Sequence, residues 1–272
     1  MTQRVTVLTN IYNEAYILPF WLKYHKNVFD HGIVIDWCST DNSRDIIRAI
    51  CPTWEIRQTN NMKDGKPFFE TFSADQEIME IEKTIPGYKI FLNVTEWLMT
   101  TGPIKSLIDF NAINKCYPLH VFSPINSLQG YTPQNTKEFI ACFRNKLVSV
   151  ITKRYFRYLF NRSNGEYKGG RHLTNVASDL ESIDWNNYQP AMNGMYIVWT
   201  AFFPLTDQMW QRKLAVKAHM CKEIELPRGT CFQHFWALDE MKKDYAELCK
   251  HNIIKHPDLN LSIDYGIQIA EF

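Results

Sequence analysis

The chain has no C-x-x-C pair, and its seven cysteines, an odd count, show no regular spacing. A structural zinc site is thereby disfavoured, and the pattern suits reduced thiols in a cytosolic setting. Net charge is nearly absent as well. Lys and Arg number 30 against 29 Asp and Glu, a formal +1. No general electrostatic drive toward nucleic acid or an anionic membrane follows from that balance. Long apolar runs are missing. The most apolar stretch, around Met195 to Leu205, is too short to span a bilayer and ends near Pro204. The opening residues lack the charged-then-apolar pattern of a signal peptide, so a cytoplasmic protein with no transmembrane segment is expected. In that setting the sequons at Asn93, Asn161 and Asn260 carry little weight. No G-x-G-x-x-G is present, which argues against a dinucleotide oxidoreductase, and no Gly-Lys-Ser/Thr follows a strand. Internal repeats, low-complexity tracts and an obvious linker are absent too.

What remains is an ordinary globular composition over 272 residues, 45% hydrophobic and 22% charged, with abundant aromatics at 14%. That length buries a sizeable core. Two short apolar runs stand out, Val5 to Leu8 and Gly32 to Ile35, each ending in a polar loop that leads into a helix-like stretch. The first loop is Thr9-Asn10-Ile11-Tyr12-Asn13-Glu14. The second is Asp36-Trp37-Cys38-Ser39-Thr40-Asp41-Asn42-Ser43. Two strands with an amphipathic segment between them read as a βαβ unit. In an open α/β sheet, ligands bind at the loops beyond the carboxyl ends of such strands.

The pattern predicts helices over Glu14 to Asn27, Arg44 to Ile50 and Pro67 to Glu82, the last with Phe69, Phe72, Ile78, Met79 and Ile81 inward. Pro19 must sit in the first turn of its helix, and Pro52 stops the second. Glu55 to Arg57 and Lys89 to Leu92 read as strands, with Asn60 to Gly65 a loop. Beyond Gly102-Pro103 the pattern loosens. Helices are expected over Lys105 to Lys115, Trp210 to Lys222 and Leu238 to Cys249, and strands over Leu119 to Ser123 and Tyr196 to Phe203. Arg144 to Phe160 shows no clear period.

The order strand, T-x-x-Y-N-E loop, helix, strand, D-x-x-S-x-D-x-S loop resembles the nucleotide-binding half of family 2-like glycosyltransferases of the GT-A fold. The likeness runs through Leu98 and is weak beyond. It implies an α/β fold with a mostly parallel sheet flanked by helices. Residues 1–102 would be the nucleotide-sugar-binding half and 103–272 the acceptor-binding half of one domain. The implied activity is transfer of a sugar from a nucleotide-diphosphate donor, commonly a UDP-sugar, to a hydroxyl of a glycan acceptor, with inversion. By position, Thr9, Tyr12 and Glu14 would line the base and ribose. Asp36 would accept a hydrogen bond from the base, since an ionised carboxylate only accepts. Ser39 and Asp41 either join that site or merely shape the loop and cap the next helix.

The fourth strand departs from the family. Many members carry Asp-x-Asp there, holding a divalent ion on the diphosphate. This chain has Asn93-Val94-Thr95-Glu96-Trp97-Leu98, so Glu96 is the one carboxylate of the motif. Three readings stay open: a magnesium or manganese ion held weakly through Glu96 and the phosphates, a metal-independent enzyme, or an inactive relative that still binds nucleotide or glycan. For the second, cations are at hand in Lys168, Arg171 and His172 around a Gly-Gly pair, where Arg can bind phosphate bidentately. His234, in a segment that resembles a late His-aromatic pair of the family, would reach the diphosphate. An inverting transfer also needs a general base, usually a carboxylate. Asp179, Glu181, Asp184 and Glu96 are the candidates. Trp185, Tyr188, Tyr196 and Trp199 either stack on acceptor sugar or pack the core. A nucleotidyltransferase would share the βαβ start, but it commonly opens with a Gly-rich basic loop that Thr9 to Glu14 lacks.

Overall fold

The computed structural model describes residues 3–119, 121–124, 133–143, 147–149, 157–167, 170–171, 194–200 and 203–250. Its organising strand is β1 (Val5–Ile11), whose alternating side chains are buried on both faces. Val5, Val7 and Ile11 pack against α1 (Leu18–His25) and α2 (Ser43–Ile50). Leu8 instead packs with Ile33 and Ile35 of β2 (His31–Asp36). A strand covered on both faces is the mark of an interior parallel sheet. β3 (Glu55–Gln58) lies parallel to β2. A two-residue-per-strand hairpin, β4 (Met62–Lys63) with β5 (Lys66–Pro67), then leads into α3 (Thr71–Glu82). Ala74, Ile78 and Ile81 of α3 cover the Leu8 face. β6 (Tyr88–Phe91) returns on the other side of β1, also parallel.

The remaining described elements are β7 (Glu96–Thr100), α4 (Ile104–Leu107), β8 (Cys116–Leu119), β9 (Val121–Pro124), α5 (Thr136–Phe143), β10 (Leu147–Ser149), β11 (Arg157–Phe160), β12 (Met195–Trp199), α6 (Asp207–Val216), α7 (Lys222–Glu225) and α8 (Leu238–Lys250). The main sheet has six strands in the order β3-β2-β1-β6-β11-β8, and only β11 pairs antiparallel with both its neighbours. The fold is thus mixed α/β, with a mostly parallel central sheet flanked by helices. Strand order reverses between β1 and β6, which places the ligand crevice of such sheets there. A second sheet, β10-β9-β12-β7, begins immediately after the loop that follows β6. No described helix is long and apolar enough to cross a membrane.

α1 docks on β7 through buried polar contacts. Trp21 Nε1 donates to Glu96 O at 2.8 Å and Tyr24 Oη donates to Leu98 O at 2.9 Å. His25 places Nδ1 3.1 Å from Trp21 O and accepts from Leu98 N at 3.3 Å. Nδ1 therefore carries the proton of a neutral ring, and burial pushes the pKa down to about 3.

Several expected elements differ. Phe72 was expected inward, yet it is 46% exposed, because the face of α3 set by Ala74 and Ile78 turns it outward. The helix expected over Lys105 to Lys115 is only the single turn of α4. The strand expected over Leu119 to Ser123 divides between two sheets, β8 in one and β9 in the other. The segment without a period, Arg144 to Phe160, contributes β10 and β11.

Candidate functional site

At the carboxyl edge of the sheet, the two loops foreseen from sequence are tied together. Asn13 adopts φ 52°, a left-handed conformation that Asn tolerates better than most residues. Its Oδ1 accepts from Thr40 N at 2.8 Å and Asp41 N at 3.2 Å, and its own N donates to Ser39 Oγ at 3.1 Å. Ala15 N donates to Asp41 Oδ2 at 3.0 Å, and Glu14 N to Ser43 Oγ at 2.9 Å. Ser39 and Asp41 therefore work within the loop. Asp36 is buried at its base. Its Oδ1 accepts from Ser39 N at 2.9 Å, and Oδ2 lies 3.3 Å from Arg44 Nη1.

The period of two decides which residues of β1 reach the crevice. Thr9 is fully buried on the Val5, Val7 and Ile11 side, so the structure does not bring it to a donor pocket. Asn10 faces the α3 side with Leu8. Tyr12 lies edge-on to His219, with ring centroids 4.0 Å apart. Glu14 is buried in an ion pair with Arg212 of α6, Oε1 to Nη2 at 2.6 Å. Beside it, burial pushes the Lys213 ammonium down to about 7, with Arg212 adding to the effect and Glu14 and Asp244 opposing it. His234 is pushed to about 3, by burial first and then by Lys213 and Arg212. Glu14, expected at the ribose, and His234, expected at the diphosphate, thus both lie beside Arg212 and Lys213, which the sequence did not single out.

The segment after β6 is arranged differently from expectation. Glu96 accepts from Arg157 Nε at 2.8 Å and Nη2 at 2.5 Å, and from Asn93 N at 2.9 Å and Nδ2 at 3.1 Å. Both Glu96 and Arg157 are buried. Burial works against the Arg157 charge, but the Glu96 carboxylate outweighs it and raises the guanidinium pKa. Thr95 is buried, and its carbonyl accepts from Thr200 N at 2.7 Å. Both oxygens of the segment's one carboxylate are committed to a guanidinium. These residues do not fit a divalent ion. The same geometry leaves Glu96 no lone pair aimed at an acceptor hydroxyl, so it does not suit a general base. Among the described residues no group of three His, Cys, Asp or Glu side chains converges as an ion site.

Arg157 Nη1 also donates to Gly170 O and Arg171 O, each at 3.1 Å. Arg171, expected to bind phosphate bidentately, is buried at φ 60°. It pairs with Asp75 Oδ1 at 2.7 Å and stacks over Phe91 at 4.1 Å. Burial raises the Asp75 pKa, with Arg171 opposing. Tyr196 belongs to the core, and Trp199 is half-buried, its ring 5.8 Å from Lys213 Nζ. Lys168, His172, Asp179, Glu181, Asp184, Trp185 and Tyr188 lie outside the described residues.

Among the described residues, five buried polar atoms on this side find no hydrogen-bond partner: Asn10 Oδ1, Trp37 Nε1, Asp75 Oδ2, Arg171 Nε and His219 Nε2. Aromatic rings connect them. Trp37 packs on Phe69 at 5.1 Å, Phe69 N donates to His219 O at 2.8 Å, and Arg171 lies over Phe91 in the same cluster as Trp37. An unsatisfied buried polar group costs about 1–3 kcal/mol and is rare in native structures. Five such atoms lie along this aromatic-walled edge. Asn10 was legible from strand alternation. Asp75, Arg157 and Arg212 carried no sequence signal, because their partners lie far away along the chain.

No protein-family model matches this chain, and no curated protein sequence does. Among solved structures, S. aureus TarS aligns over 48% of this chain and 23% of its own, at 17% identity and TM-score 0.31. S. aureus TarS 1-349 in complex with UDP aligns over 48% and 38%, at 18% identity and TM-score 0.31. Glucosyl-3-phosphoglycerate synthase from Mycobacterium tuberculosis, in complex with Mn2+, UDP and glucosyl-3-phosphoglycerate, aligns over 58% and 56%, at 17% identity and TM-score 0.33. The chain therefore spans less than two thirds of the length of each of these proteins.

Proposed function

We propose that this protein binds a nucleotide-diphosphate sugar, with UDP-sugars favoured, in the crevice between β1 and β6 and transfers the sugar to a hydroxyl of a glycan or related acceptor. The observation that carries the reading is the set of five polar atoms at the strand-order reversal that find no partner among the described residues, walled by Tyr12, Trp37 and Phe69. Aromatic faces with a few fixed donors and acceptors suit a nucleoside. The family resemblance of the Thr9 to Glu14 and Asp36 to Ser43 loops points the same way. Residues 1–102 would supply the base and ribose side. Arg212, Lys213 and His234, from the half proposed to hold the acceptor, would also meet the diphosphate.

In this reading the acceptor oxygen bonds to the anomeric carbon as the bond to the diphosphate oxygen breaks, and the configuration inverts. The bonding electrons leave with the diphosphate, and the hydroxyl proton passes to a carboxylate. Asp179 and Glu181 remain the proposed bases. Leaving-group charge is met by side chains: Lys213 and Arg212 beside Glu14, with Arg157 fixing the floor of the site. The commitment of Glu96 to Arg157 supports a metal-independent transfer. That same commitment also favours a second reading, a relative that binds nucleotide without turnover. A radiolabelled UDP-sugar panel with chelator separates them. Sugar transfer or slow donor hydrolysis supports the enzyme, and tight UDP binding with neither supports the inactive relative.

A further inference from the structure

A second concave surface lies on the outward flank of α3, away from the crevice. Asn60, Asn61, Phe72, Ser73, Gln76 and Glu77 form most of it, and Glu80 and Ile81 complete a shallow open groove of about 540 Å³. Its floor is rigid. Glu77 accepts from Thr59 Oγ1 at 2.7 Å, Asn60 N at 2.6 Å and Asn61 Nδ2 at 2.7 Å. Its wall is Phe72, which is 46% exposed and has the Arg228 guanidinium 5.0 Å from its ring. Gln76 Nε2 donates to Glu80 Oε1 at 2.7 Å, which holds one amide in place along the rim.

We infer that this groove binds a neutral saccharide chain. The lining chemistry selects that class. Two carboxylates line the groove, and the cations at its margin, Lys83 and Arg228, are already paired with Glu80 and Glu70, which disfavours nucleotides, sugar phosphates and nucleic acids. Three planar amides beside fixed carboxylates offer paired donors and acceptors, which match vicinal hydroxyls. An exposed aromatic ring offers a flat apolar face for the C–H side of a pyranose. An open groove lets a chain pass through, whereas a closed pocket would admit only a single unit.

The same helix carries Asp75 toward the crevice and Phe72 and Gln76 toward the groove, so the two sites lie about one helix width, ~10 Å, apart. A chain anchored by distant units in the groove would present its end near the crevice. This last step rests on the glycosyl-transfer reading, while saccharide binding in the groove does not.

The test is an amide-resonance titration of the whole chain with neutral hexasaccharides of the cello, malto, chito and manno series, with a hyaluronan hexasaccharide as anionic comparison. Saturable shifts of the Asn60, Asn61 and Phe72 to Ile81 amides are expected with at least one neutral chain. Phe72→Ala and Gln76→Ala are each expected to weaken that binding roughly tenfold, the scale of one aromatic contact or one hydrogen bond. Phe72 is half-exposed, so its loss leaves the fold intact. The inference is overturned if no neutral chain moves these amides at millimolar concentration, if Phe72→Ala binds unchanged, or if hyaluronan binds there as well as the neutral chains. UDP is titrated separately against the Asn10 to Glu14 amides. Saccharide shifts without UDP shifts would sink the transfer reading and leave the groove standing.

Discussion

Glu96 and Arg157 form the buried ion pair on which the proposed metal-free chemistry rests. Removing one partner of a buried pair leaves the other charge unmatched, so Glu96→Gln is expected to destabilise the fold by about 3–5 kcal/mol. Glu96→Leu with Arg157→Met should recover much of that loss in urea unfolding. A single-variant cost near zero would mean the pair is solvated. Glu82 gives a prediction in pH. Burial raises its pKa to about 7, against the opposing contacts of Tyr167 Oη at 2.5 Å and Gly165 N at 2.8 Å. A carboxyl whose folded pKa lies above its ordinary 4.5 contributes stability below that value, and the contribution is lost as pH rises to about 7. Glu82→Gln cannot ionise, so its stability should gain on the wild type across that window. A constant difference would contradict the raised carboxyl. Lys213, at about 7, is charged below that pH, so UDP affinity should fall as pH rises through it. Lys213→Arg should flatten that dependence, which separates it from titration of the ligand. Lys213→Met should weaken UDP roughly tenfold or more, the scale of one charge-assisted bond. Equal UDP affinity in Lys213→Met would remove Lys213 from the site.

At the scale of elements, the region from Thr206 to Cys231 straps across the carboxyl edge. Tyr16 Oη meets Thr206 Oγ1 at 2.8 Å, Arg212 meets Glu14, and Met220 bridges to Phe69. The fully buried Glu225 accepts from Thr71 N and Thr71 Oγ1, both at 2.7 Å, and so caps the start of α3 from outside the helix. An anion there also complements the helix dipole. Glu225→Ala should cost about 1–3 kcal/mol and speed amide exchange across 217–231 together with the first turn of α3. Unchanged exchange in α3 would show that the strap does not hold it. This strap also explains what could be read from sequence. β1, α1, β2, α2, β3, α3 and β6 form from local periodicity, and the strands up to β3 pair with their chain neighbours while β6 returns to β1, so the order of these elements was legible. Beyond Gly102 the strands pair with distant partners. Cys116–Leu119 and Arg157–Phe160 join the first sheet far from their neighbours in the chain, and no local pattern announces that. Thr9 and Asn10 show the limit of motif reading. The motif names Thr9 and leaves Asn10 unspecified, but the pleat turns Asn10, not Thr9, to the crevice side.

For the whole molecule, four parallel strands with the reversal between β1 and β6 create the crevice, and the later part of the chain closes over it with Arg212, Lys213, His219 and His234. The central claim is that this edge holds a nucleotide-diphosphate sugar without help from a divalent ion. The most direct measurement is a thermal-shift panel of nucleotide-diphosphates and their sugars, each with manganese, with magnesium and with chelator. A ligand that binds the native state raises its melting temperature by mass action. The account predicts stabilisation by UDP or a UDP-sugar that survives chelator. Stabilisation only in the presence of metal, or none from any nucleotide at millimolar concentration, would contradict it.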